Sequence, residues 1–327
     1  MMGSAIHGGG EHSTTRDGFI SAHELLRKVF SPIEWIVPDL IPEGLTIVAS
    51  KSKMGKSWLM LDLAWQVAAS HSFLGRQCAR GDVLVLALED SERRLKDRMQ
   101  KLDLMFSPAH KEAQHRIHFK TTWRRSDLGG VADMAKWLDE HPATRLIIVD
   151  VWRKIAPPHK AGTIGYNQDY EHLNEIHRLA NDRRIAIVLV MHLKKAPSET
   201  GDPFDDVMGS AGQVGVADTT LILRRTPTGV TLYARGRDVQ EIELAVKFDA
   251  DTCRWESLGD AEKLKQAQET NSIVNALRAC GAEMTTLEIV ERTGMERRIV
   301  DVELGRLAKQ GKIRRTRRGV YEAVSVQ

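Results

Sequence analysis

Cysteine is scarce in this sequence, and the three that occur, Cys78, Cys253 and Cys280, are widely separated and form no CxxC pair. That spacing argues against a disulfide framework or a cysteine-based zinc site, and it predicts a reducing, cytoplasmic setting. Long apolar runs are lacking too. The run over 185–191 falls far short of the roughly 18 residues that mark a membrane span, so no membrane contact is expected. No charged segment followed by an apolar stretch and a small-residue cleavage site opens the chain, and no secretion signal is expected. Nor does one sign of charge dominate: 47 basic against 44 acidic residues leave +3. That is too little to mark the whole chain as a nucleic-acid binder. What is present is 327 residues that are 42% hydrophobic, enough for a sizeable core and about two domains.

The punctuation of the chain divides it unevenly. Residues 1–30 are expected to be a flexible leader, rich in Gly, Ser, Thr and His up to Gly18, with a short helix over 21–30 that Ser31-Pro32 stops. Residues 31–258 alternate continuous apolar runs with helical patterns. Strands are expected over 45–49, 83–88, 116–120, 146–149 and 185–191, with helices between them. After Asp218 come three runs joined by short turns, which read as antiparallel strands. The predicted fold class is α/β: a mainly parallel sheet with helices on both faces and antiparallel strands at its C-terminal end. Residues 259–270 are polar and charged and read as a linker. Residues 271–327 read as a small α+β domain, in which Thr285 and Glu288 have the spacing of a capping box.

The sharpest local signal is Ala49-Ser50-Lys51-Ser52-Lys53-Met54-Gly55-Lys56-Ser57, between an expected strand and an expected helix. A phosphate-binding loop reads G-x-x-x-x-G-K-[ST]; here Gly55, Lys56 and Ser57 match and Ser50 stands where the first glycine belongs. Such a loop turns backbone N–H groups inward at a helix N-terminus to cradle phosphate oxygens. Ser52, Lys53, Met54, Gly55, Lys56, Ser57 and Trp58 are the expected contacts to ATP. Lys56 would reach the β- and γ-phosphates and Ser57 would hold Mg²⁺. Ser50 is expected to strain the loop or shift its entry. A basic surface turn that contains Gly-Lys-Ser is the bland alternative.

Two acidic strand ends complete the pattern. Asp150 closes an apolar strand in the Walker B manner, which suits a role beside the metal. Glu89 and Asp90 close the strand before it. Asp90 or Ser91 is explained by capping the next helix, whereas Glu89 fits better as the base that polarises an attacking water.

Taken together, these residues resemble the RecA-type ATPases of the RepA-like hexameric replicative helicase family, found on plasmids and mobile elements. The resemblance spans 35–255. It rests on Pro42-Glu43-Gly44, Leu86-Ala87-Leu88-Glu89-Asp90, the Asp150 strand, Tyr166 with Asp169-Tyr170 and Met191-His192-Leu193-Lys194-Lys195. It continues through Gly209-Ser210-Ala211-Gly212, Ala217-Asp218-Thr219 and Gly236-Arg237-Asp238. The resemblance implies that His192 senses the γ-phosphate and that Arg237, or Arg235, reaches the ATP of a neighbouring subunit in a hexamer. It also implies that loops carrying Lys194 and Lys195 contact single-stranded DNA. Outside the resemblance, the histidine reads as a polar residue closing a strand, the arginines as exposed strand-end charges and the loops as solvated.

The near-neutral total charge is an average. Between Glu296 and Gly319 stand nine basic residues, among them Arg297, Arg298, Arg314, Arg315, Arg317 and Arg318, against three acids, a local +6. Helix, turn, helix and basic hairpin resemble a winged helix, with 297–310 as recognition helix and 314–318 as wing. That arrangement suits duplex DNA, though winged helices also bind proteins. The chain therefore reads as a ring-forming, ATP-hydrolysing helicase or translocase. The alternatives are a non-motor ATP-dependent initiator or regulator and a degenerate nucleotide-binding scaffold.

Overall fold

The computed structural model describes residues 19–103, 111–158, 165–193, 201–207 and 215–324. Lys194, Lys195, Gly209-Ser210-Ala211-Gly212 and most of the expected leader lie outside the described residues, as do the side chains of Tyr166 and Asp169. Residues 1–33 form a unit of their own. In it, α1 (Ala22–Arg27) is shorter than its apolar spacing predicts. Ser21 and Glu24 close a capping box at its start, but none of its residues is buried, and a six-residue helix without packing has little to extend it.

In the second unit, 34–327, strands rich in Val, Ile and Leu are buried on both faces, which is why their sequences run apolar without alternation. A small ribbon of β1 (Trp35–Val37) and β2 (Ile41–Pro42) precedes β3 (Gly44–Ser50), every residue of which is buried. Then come α2 (Lys56–Ala69), the hairpin of β4 (Ser72–Phe73) and β5 (Arg76–Gln77), β6 (Asp82–Ala87), α3 (Glu92–Asp103), α4 (Lys111–Gln114) and β7 (Ile117–Lys120). Next are α5 (Gly130–Glu140), β8 (Thr144–Asp150), α6 (Gly165–Arg183) and β9 (Ala186–His192). The meander β10 (Thr219–Thr226), β11 (Gly229–Gly236), β12 (Ile242–Asp249) and β13 (Arg254–Asp260) completes a nine-stranded sheet of order β13-β12-β11-β10-β3-β9-β8-β6-β7. From β10 through β7 the neighbours are parallel, and β10 to β13 are antiparallel. This is the RecA-like arrangement that the sequence predicts.

Alternate residues of the parallel strands feed the two halves of the core. Val48, Val85, Ile148 and Val190 join Leu59, Leu63 and Val67 of α2 on one face. Ile47, Leu84, Ile147 and Leu189 join Met134 of α5 and Leu173 and Ile176 of α6 on the other. The C-terminal ends of β3, β6, β8 and β9 therefore open on one edge, where α/β sheets place their ligands.

The expected linker is not a loop. Asp260 closes β13, and its side chain accepts the Lys263 N–H at 2.9 Å as the N-cap of α7 (Ala261–Cys280). Residues 261–270 are thus the first half of one helix; they are polar because most of that half faces solvent, not because the chain is irregular. Beyond it lie β14 (Met284–Thr285), α8 (Thr286–Thr293), α9 (Arg297–Lys309), β15 (Ile313–Arg317) and β16 (Val320–Ala323). A three-stranded sheet of order β14-β16-β15 covers a core of Ile273, Leu277, Ile289, Val300, Leu304, Leu307 and Ile313. Thr285 and Glu288 form the capping box their spacing predicts. Among the described residues, no helix is long and apolar enough to cross a membrane.

Candidate active site

The loop after β3 turns tightly into α2, and two of its residues have left-handed backbones: Lys53 at φ 61° and Gly55 at φ 86°. Gly55 is the N-cap of α2 and is pressed from outside, since a Cβ there would meet Trp255 Cζ2 at 3.0 Å. The Trp255 indole N–H reaches the Gly55 carbonyl at 3.4 Å. The expectation that Ser50 strains the loop is not met. Ser50 ends β3 as an extended residue, in register with His192 of β9 and Leu223 of β10, so that position does not call for glycine.

Lys56 is buried, and its ammonium donates to the Ser50 carbonyl at 3.0 Å, the Ser50 hydroxyl at 2.9 Å and the Lys51 carbonyl at 3.1 Å. His192 Nδ1 lies 3.4 Å away. The three N–H donors of the ammonium are matched by the three closer oxygens, and an Nδ1 that carries no proton adds a fourth acceptor beside them. Burial pulls the Lys56 pKa down to about 8, against the opposing pull of Asp150 and Glu89. The His192 pKa is lowered by burial and then by Lys56. Burial raises Asp150, while a hydrogen bond from Ser57 and the Lys56 charge work the other way.

Ser52, Lys53, Met54, Gly55, Lys56, Ser57, Trp58, Glu89, Asp150 and His192 all line one cavity of about 550 Å³ at the C-terminal edge of the sheet. Asp90 pairs with Arg94 at 3.1 Å and Arg98 at 2.5 Å, and Ser91 accepts the Arg94 N–H at 3.3 Å at the start of α3. The helix-start explanation thus accounts for Ser91, ion pairs hold Asp90, and Glu89 lines the cavity.

Arg98 is not among the residues expected from sequence. It lines the cavity, 5.4 Å over the Trp58 ring, in the second turn of a helix whose many charges look like a solvated face. Trp255, which packs on Gly55 from behind the loop, is a second residue the sequence does not point to, since 200 residues separate the two.

Arg235 and Arg237 do not line this cavity. They lie at the opposite edge: Gly236 and Arg235 are in register with Thr219 and Thr220, which pair with Thr46 and Ile47 of β3. From Thr46 to Ser50, β3 climbs roughly 13 Å at ~3.3 Å per residue. Arg235 is held by Glu241 and Asp202, each at 2.7 Å, and sits 4.2 Å over Phe204; both carboxylates push its pKa up. Arg237 pairs with Asp218 at 2.8 Å and stays about half exposed. Asp218 also accepts from the Leu45 N–H at 2.9 Å and contacts His177 at 3.0 Å.

The C-terminal arginines are not among the residues that line the cavity. Arg297 and Arg298 are exposed at the start of α9, while Arg315 and Arg318 are exposed on the hairpin. Arg314 pairs with Glu322, and Arg317 lies 3.8 Å from Glu283. Arg306, one of the nine basic residues in this stretch, turns inward to Glu303 and Thr270 and serves the fold.

Ser57 and Asp150, joined by a hydrogen bond, fit a magnesium ion, which is ordinarily held by one or two carboxylates plus phosphate oxygens. Among the described residues no cluster of three or more His, Cys, Asp or Glu forms a protein-only metal cage.

Similarity to known proteins bears on the family and the fold. No curated protein matches the chain. One solved structure, described as an ATPase domain, has the same fold, with a TM-score of 0.50 at 14% identity over 66% of this chain and 85% of that one. A DnaB-like replicative helicase, described with its interactions with primase, aligns with a TM-score of 0.49 at 15% identity over 65% of this chain and 57% of that one. The family described as the AAA domain matches residues 15–198, more than half of the sequence. The chain belongs to the AAA-domain family.

Proposed function

We propose that this protein hydrolyses ATP and is a DNA-associated helicase or translocase of the replicative type, working as a head-to-tail ring. The observation that carries the reading is the convergence of Lys56, Ser57, Glu89, Asp150 and His192 on one cavity at the mouth of a phosphate-binding loop. The N–H groups of 53–57 and Lys56 would hold the phosphates, and Ser57 with Asp150 would hold Mg²⁺. The metal, when bound, offsets the negative charge that builds on the phosphate oxygens. Glu89 orients the attacking water and takes its proton. His192, in the cavity beside Lys56, would sense the γ-phosphate and pass its state to the residues that follow it.

The placement of Arg235 and Arg237 supports assembly. An arginine at the opposite edge cannot reach the nucleotide of its own chain, but head-to-tail packing brings that edge against the cavity of the next copy. Arg237, with one carboxylate partner against two for Arg235, is the better candidate to reach across, and a six-membered ring is the expected closure. Lys194 and Lys195 would face single-stranded DNA in the channel.

The order helix, strand, helix, helix and hairpin from 261 to 323 supports a winged-helix-like module. Arg297 and Arg298 on α9, with Arg314, Arg315, Arg317 and Arg318 on the hairpin, would contact duplex DNA. Light scattering and ATPase assays on one preparation, with and without an ATP analogue and single-stranded DNA, test the whole reading. Assembly with DNA-stimulated hydrolysis is expected. Unstimulated turnover by a protein that stays monomeric would overturn the motor and leave an ATP-dependent switch.

A further inference from the structure

The one departure of the phosphate-binding loop from its pattern is Ser50, and its side chain is neither exposed nor idle. It is fully buried, with a relative accessibility of 0%. Its hydroxyl donates to the Lys51 carbonyl at 2.8 Å, which fixes the proton and leaves the oxygen lone pairs free. Those lone pairs meet the Lys56 ammonium at 2.9 Å. Of the four acceptors around Lys56 Nζ, two are backbone carbonyls and two are side chains, Ser50 and His192. A glycine at position 50 would keep the carbonyls and remove the nearest side-chain acceptor. The backbone gives no reason for glycine here, since Ser50 is an extended residue inside the sheet register.

We propose that Ser50 is a positioning residue for Lys56, its hydroxyl holding the ammonium at the mouth of the loop where the β- and γ-phosphates are bound. The proposal rests on the nucleotide-site reading. An ammonium on a four-carbon stem has many rotamers, and fixing its tip lowers the ordering cost of binding phosphate. A hydrogen bond to a charged, buried group is among the stronger ones a side chain makes. Ser50 thus replaces a conformationally permissive glycine with an acceptor aimed at the lysine.

The test is binding of a non-hydrolysable ATP analogue with Mg²⁺ to wild-type protein, Ser50→Ala, Ser50→Gly, Lys56→Ala and the double variant Ser50→Ala/Lys56→Ala. Binding to the lysine variants is read at millimolar nucleotide, and thermal unfolding confirms that each variant is folded. Alanine keeps the Cβ and deletes only the hydroxyl, so Ser50→Ala separates the hydrogen bond from any backbone effect. Both Ser50 variants are expected to bind roughly tenfold more weakly. In the Lys56→Ala background the Ser50→Ala change is expected to cost nothing further, because the residue acts through the lysine. Ser50→Gly binding as tightly as wild type or more tightly overturns the proposal, as does a Ser50→Ala loss that persists without Lys56. Wild-type protein that binds no nucleotide overturns the site reading and this proposal with it. Binding that is lost in Lys56→Ala yet unchanged in Ser50→Ala overturns this proposal alone.

Discussion

Gly55 is confined to glycine from two directions at once, by a left-handed backbone and by the Trp255 ring against its α-carbon. Gly55→Ala is therefore expected to cost more than the ~1 kcal/mol of a simple glycine replacement and to weaken nucleotide binding. Thermal unfolding and a binding titration on the same sample would show both. Glu89 makes a different prediction, because it faces the cavity without building it. Glu89→Gln should lower ATP turnover by about 10²–10⁴-fold while leaving nucleotide binding close to wild type, in steady-state and equilibrium assays run side by side. The cysteines separate by burial: Cys78 and Cys253 are buried and Cys280 is exposed, and burial pushes the Cys78 thiol up to about 12. A thiol reagent at neutral pH should count one reactive group in folded protein and three in denaturant. Most residues of the cavity are legible in the sequence because the loop motif and two acidic strand ends each carry a chemical reason for their residue types. Arg98 and Trp255 are not legible, because a charged helix turn and a tryptophan on a late strand gain meaning only when the chain brings them to the loop.

Among the elements, the parallel strands announce themselves as unbroken apolar runs, since both of their faces are covered. The start of α7 does not, because 261–270 contains Leu264 as its one large aliphatic residue and looks like a linker. Its signals are of another kind: residues that favour helices, and an aspartate three positions before Lys263. On the C-terminal hairpin, Arg315 and Arg318 are exposed, and neither is among the side chains that pair with Glu283 or Glu322. Replacing both with alanine should weaken duplex binding at every sequence alike. It should also lower the slope of log affinity against log salt by about 0.9 per lost phosphate contact, measured by fluorescence anisotropy over a salt series. A slope that stays at its wild-type value would place the hairpin away from DNA.

At the scale of the whole molecule, head-to-tail packing would assign the edge with Glu89 and the edge with Arg237 to different active sites. A chain lacking Glu89 still carries its Arg237, and one lacking Arg237 still carries its Glu89. Arg237→Ala and Glu89→Gln proteins, each inactive alone, should therefore recover part of the wild-type ATPase when mixed, with a yield that depends on the mixing ratio. Two inactive proteins that remain inactive together would place both residues in one chain's chemistry.

The run of β13 straight into α7 sets a practical limit on how this protein can be cut. A chain ended at Leu258 would lose Gly259 and Asp260 from their pairing with Ala245 and Leu244, in the strand that carries Trp255 against the phosphate loop. A fragment begun near 271 would lack the first half of its own longest helix. A cut between Asp260 and Ala261 spares both elements but takes the N-cap from α7, so an isolated C-terminal fragment that fails to bind DNA would say little about DNA. The informative experiments keep the chain whole and change its surface.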